Sequence, residues 1–148
     1  MSERRALRLR HRLRVIEAAL LLSVYPLVTK VMSVRRLLGI AGIEIAPAVE
    51  QIGPAASYPA RGVGRAVEAA ALQLPWRPLC LPQATVAGLM LRLRGHRSAM
   101  CFGVRRGEAE LSAHAWLVVE GADGGIVCGG GPVGALSPFV RFPEMQAK

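Results

Sequence analysis

The chain has 148 residues, enough for one domain with a substantial core and too few for several. An apolar content of 52% and a mean hydropathy of +0.34 exclude a disordered chain. The formal charge of +9 comes almost wholly from arginine, lysine occurring only at Lys30 and Lys148; it suits nucleic acid, acidic lipid or an acidic peptide, but the aromatic interleaving of single-strand binders is missing and no nucleic-acid partner is expected.

In chain order, Leu9, Leu13, Ile16, Leu20, Val24, Leu27 and Val31 step by three or four, the stripe of an amphipathic helix. The run Arg4, Arg5, Arg8, Arg10, Arg12 and Arg14 reads as its solvated face, and Pro26 is expected to kink or divide it. The stretch from Val15 to Val28 carries Glu17, Ser23 and Pro26, is shorter than the ~20 residues a bilayer requires, and is followed by no small-residue cleavage site. It reads as a packing helix, with peripheral membrane contact as the lesser alternative. A second short helix is expected over Val34 to Leu38, stopping at Gly39. From Gly39 to Pro59 the Gly, Pro and Ala content predicts a linker or irregular excursion. Residues 1–60 thus form a helical N-terminal region and linker, and 61–148 a core, within one compact domain.

A helix over Gly62 to Leu74 is closed by Pro75, and Trp76-Arg77-Pro78 delivers the chain to Cys80. The next helix is expected from about Leu81 to Gly95, with Pro82 tolerated in its first turn. Its stripe is Val86, Leu89, Met90 and Leu93, while Arg92 and Arg94 look outward. Strands follow over Ser98 to Arg105, Glu110 to Val119 and Ile126 to Cys128, separated by turns at Arg106-Gly107-Glu108 and in the Gly121 to Gly125 stretch.

Three cysteines, Cys80, Cys101 and Cys128, are an odd number without Cys-x-x-Cys spacing, so neither a disulfide framework nor a metal site is indicated. A reducing, cytoplasmic compartment is expected. Cys101 and Cys128 sit in strand-like apolar contexts and read as structural. Cys80 differs: a thiol at a helix N-terminus meets positive dipole and free N–H groups that favour the thiolate. A histidine on a neighbouring strand, His114, can take its proton. Cys80 would attack a peptide carbonyl and pass through a thioester, its own N–H bonding the oxyanion. His114 would act as base toward the thiol and acid toward the leaving amine. Strand alternation puts His114, Trp116 and Val118 on one face and Ala113, Ala115 and Leu117 on the other, the small alanines letting the sheet approach the cysteine helix. A cysteine helix on an antiparallel sheet that carries the histidine is α+β. Trp76 and Trp116 are candidates to line a substrate groove, and Gln83 either reaches the site or caps the helix start.

The wording around the pair, Trp76 to Ala84, then Leu91 to Gly95, Phe102-Gly103-Val104 and Ala113-His114-Ala115-Trp116, resembles the transglutaminase-like peptidases of lasso-peptide biosynthesis, the B-type maturation proteins. The likeness runs over roughly the whole chain. It implies a transglutaminase-like or papain-like fold and proteolytic removal of the leader from a ribosomally made precursor, so that a separate cyclase can close the ring. It implies three partners: the precursor peptide, the lasso cyclase and, since no segment ahead of Cys80 reads as a leader-recognition domain, a separate leader-recognition protein. No cofactor bound by this chain is evident. The family is associated with ATP use, but no phosphate-cradling glycine loop with a lysine occurs, so any such dependence belongs to the assembled system.

Family members usually carry an aspartate one strand after the histidine, to orient the imidazole. Here that strand, Ile126-Val127-Cys128-Gly129-Gly130, has no carboxylate. Asp123 is the nearest aspartate and the candidate third member, with Glu120, a backbone carbonyl or the Gln83 side chain as alternatives. Two other readings compete with the peptidase: a maturation-complex scaffold with weak or lost activity, and an acyl transferase passing the same thioester to an amine.

Overall fold

A computed structural model of the chain describes residues 2–45, 59–106, 111–119 and 125–128. They form α1 (Glu3–Val31), α2 (Val34–Ile40), β1 (Glu44–Ile45), α3 (Ala60–Gln73), α4 (Cys80–Arg92), β2 (Ser98–Arg106), β3 (Leu111–Val119) and β4 (Gly125–Cys128). The strands make one sheet in the order β1-β2-β3-β4. β2, β3 and β4 pair antiparallel, whereas β1 runs parallel to β2, with Glu44 opposite Ala99. The fold is α+β, but the sheet is mixed, because a strand two residues long returns from α2 to the free edge of β2.

α4 is the centre of the molecule. It packs on α3, α1 and β3, and seven of its residues, Ala84 to Gly88 with Met90 and Leu91, are buried. The expected stripe is therefore too narrow: Leu91 is fully buried and Leu93, assigned to the inner face, is 69% exposed. A helix enclosed on three sides has no single apolar face. Burying Met90 and Leu91 completely contributes about 1.5–3 kcal/mol each. Gly88 has a packing reason, since a Cβ there would run into the Ile43 side chain. Thr85, also buried, satisfies its hydroxyl by donating to the Leu81 carbonyl at 2.8 Å.

α1 turns its other side to the core. Ala18 and Leu22 are buried against α3 and α4, with Val15, Ala19 and Leu21 packed alongside. The stripe read as a packing face points outward, from Leu9 at 51% exposed to Val31 at 86%. The turn from Ala18 to Leu22 is apolar all round, and Ala18 takes the inner side with Leu22 because α3 presents alanines of its own, Ala66, Ala70 and Ala71, allowing close approach. Pro26 does not divide α1. Thr29 donates its hydroxyl to the carbonyls of Tyr25 and Pro26 at 3.2 and 3.1 Å, and packing holds the helix in one piece.

α2 begins at Ser33, whose hydroxyl accepts from the Arg36 N–H at 3.3 Å. It runs past Gly39. The left-handed closing residue is Gly42, at φ +64°, and the Ile43 N–H donates back to the Leu38 carbonyl at 2.9 Å. Arg92 and Arg94 do not simply look outward. Arg92 donates to the Ile40 carbonyl at the end of α2, and both terminal nitrogens of Arg94 bond the Glu17 carboxylate, at 3.1 and 2.6 Å. That bond pushes the Arg94 guanidinium further above its ordinary value, with burial opposing.

Candidate active site

Cys80 is the first residue of α4, and Leu79, extended at φ −78°, ψ −170°, occupies the cap position with no side chain able to bond the first turn. Pro82 has no N–H to offer, and the Gln83 N–H is taken by the Leu79 carbonyl at 3.3 Å. Among the described residues no backbone carbonyl bonds the N–H groups of Cys80 and Leu81, at the positive end of the helix. Gln83 braces this start: its side-chain amide donates to the Pro78 carbonyl at 2.7 Å, tying the incoming loop to the first turn.

Across from the helix start, the backbone N–H of Ala115 on β3 donates to the Cys80 sulfur at 3.4 Å. The sheet comes this close because residue 115 has only a methyl group on the helix side. His114 precedes it, and Cys80, His114 and Ala115 line one open cleft of about 550 Å³. The His114 ring stacks on that of Trp116, with centroids 6.2 Å apart and planes 21° apart. A half-buried thiol at a helix N-terminus, with His114 lining the same cleft and the backbone N–H of the cysteine at the helix start, brings together residue types that a nucleophilic acyl transfer uses.

Residues 21–140 match the family model described as the transglutaminase-like superfamily. The chain belongs to that superfamily. Its members include cysteine peptidases and acyltransferases, so a thiol-dependent acyl chemistry is the activity this fold typically carries. No curated protein and no solved structure matches the chain.

The other singled-out residues divide by position. Trp76 lines the cleft and is 42% exposed, whereas Trp116 is buried, at 3%, beside the His114 ring. Cys101 and Cys128 are both buried, and burial pushes the Cys101 thiol up from its ordinary value. Asp123 and Glu120 lie outside the described residues. Among the described residues no group of His, Cys, Asp and Glu is arranged to hold a metal ion.

The cleft also takes residues that the sequence did not point to, among them Tyr25 from α1, Arg77 from the loop before α4, and Phe102 from β2. Phe102 was the findable one, because its register opposite Ala115 puts its side chain on the same face. Tyr25 carries no local signal; only the inward turn of α1 brings it there. Burial raises its phenol above the usual value, with the Thr85 side chain lowering it in part, so its hydroxyl stays neutral. Arg77 adopts φ +43°, a left-handed conformation that is rare outside glycine, within a turn closed by its N–H to the Leu74 carbonyl at 3.2 Å.

Proposed function

We propose that this protein is a cysteine endopeptidase that removes the leader from a lasso-peptide precursor, with Cys80 as nucleophile and His114 as general base and acid. The observation that supports the chemistry best is the seating of the Cys80 thiol against the backbone of Ala115, next to His114, in a cleft that both residues line. His114 takes the thiol proton, the sulfur attacks the scissile carbonyl, and the oxyanion is met by the Cys80 N–H. His114 then gives its proton to the leaving amine, and water releases the leader as a free acid. The resemblance of the Trp76 to Ala84 and Ala113 to Trp116 segments to the B-type maturation proteins supports the substrate, and it supports a separate leader-recognition protein and a cyclase as partners.

The test is mass spectrometry of a lasso-peptide precursor incubated with the protein, with and without its leader-recognition partner. Wild type is expected to cut once, at the junction of leader and core. Cys80→Ala and His114→Ala are expected to lose cleavage by at least about a thousandfold. A folded wild type that leaves the precursor whole even with the partner sinks the proposal, as do variants that cut normally. An amide product in the presence of added amine would assign the thioester to transfer instead. Asp123→Asn then tests the candidate third member.

A further inference from the structure

The exposed stripe of α1 is the largest feature that the cleft chemistry leaves unused. Seven aliphatic side chains between Leu9 and Val31 are each at least half exposed. At 100° per residue they fall within an arc of roughly 80° along a helix about 43 Å long. On the same projection exposed Arg5, Arg12 and Lys30 border one side of the stripe, and on the other stand exposed Arg10 and partly buried Glu17, whose carboxylate is neutralised by Arg94. The opposite side of the helix is already fixed to α3 and α4. A rigid apolar ridge with cationic borders is the chemistry of a helix that lies in a membrane interface rather than crossing it. No helix among the described residues is long and apolar enough to cross.

We propose that α1 seats the protein on an anionic lipid bilayer, with the stripe in the acyl boundary and the bordering arginines on the lipid phosphates. Charge decides against a second copy as the occupant. Two stripes set face to face would bring arginine borders against a helix whose only acids are Glu3 and Glu17, and Glu17 is held by Arg94. An anionic surface answers those arginines along the whole N-terminal half. A fluid lipid surface also accepts Leu, Ile and Val without a complementary groove. The cleft lies on the other side of α1, reached by Tyr25, so seating by the stripe leaves it open.

The test is flotation of the full chain with vesicles of phosphatidylglycerol and phosphatidylcholine, against vesicles of phosphatidylcholine alone, at low and raised salt. Binding is expected to the anionic vesicles only and to weaken with salt. Leu13→Ser, Leu20→Ser and Leu27→Ser combined are expected to cut it at least about tenfold, with the circular dichroism spectrum unchanged because all three side chains are already exposed. Arg5→Gln, Arg10→Gln and Arg12→Gln combined are expected to lower it with no mutation in the stripe. Absence of flotation with anionic vesicles, or flotation that survives the leucine changes, overturns the proposal. A dimer in light scattering that those changes convert to monomer gives the stripe to a second copy and overturns it equally.

Discussion

The sulfur of Cys80 accepts a hydrogen bond from the backbone N–H of Ala115 at 3.4 Å, so the strand that bears His114 touches the nucleophile candidate through its main chain. A main-chain donor does not depend on a rotamer, so the contact is set by how β3 packs on α4. The other two thiols are buried away from the cleft.

Thiol labelling is therefore expected to be selective. Brief treatment of the native protein with iodoacetamide near neutral pH should modify Cys80 and spare Cys101 and Cys128, as read by peptide mapping. In denaturant all three should react. Equal labelling of Cys101 in the native state would contradict the burial described above.

Alkali is expected to destabilise the fold through two groups whose titration burial delays. Burial raises both the Cys101 thiol and the Tyr25 phenol. For such groups stability is fully present below the unfolded value and is lost as pH climbs toward the folded one. Unfolded thiols titrate near about 8.5 and phenols near about 10. The melting temperature should hold level below about pH 8 and fall above it, and Cys101→Ala should flatten the first part of the fall.

Arg77 separates strain from chemistry. A left-handed residue other than glycine costs about 1–2 kcal/mol, part of which glycine returns as freedom in the unfolded chain. Arg77→Gly is expected to raise stability in urea titrations by about 0.5–1 kcal/mol, and to weaken substrate use through KM because a cation leaves the cleft wall. A loss of stability would show that the guanidinium holds the loop.

Gly64 predicts the opposite sign. A Cβ there would run into the carbonyl oxygen and side chain of Val127, so α3 rests directly on the backbone of β4. Since a strand backbone has little room to give, Gly64→Ala should cost about 1–3 kcal/mol by chemical denaturation. A neutral result would place β4 farther from α3.

How much of this was legible in the sequence depended on how local the signal was. Cys80 at a helix start and His114 within an alternating strand are set by neighbours a few residues away, and both elements start within a residue of expectation, although α4 ends at Arg92 rather than running to Gly95. The direction in which α1 faces is not local. Leu20, Leu21 and Leu22 follow one another, so periodicity alone cannot say which of them turns inward, and only the alanines of α3 select Leu22. β1 escaped notice for a similar reason: two residues carry no period, and Glu44 and Ile45 become a strand only by meeting Ala99 and Met100. Tyr25 followed α1 into the cleft and was missed with it.

The bond from Gln83 to the Pro78 carbonyl, together with the near-complete enclosure of α4, divides the cleft into a part that cannot vary and a part that can. Any change that slides or lengthens α4 displaces the thiol and disturbs the packing of two helices and the sheet at once. The exposed loop from Trp76 to Leu79, apart from buried Pro78, and the inward edge of α1 at Tyr25 can change side chains without moving the sulfur. New peptide preferences are thus most easily acquired on these two walls, leaving the helix that presents the cysteine untouched.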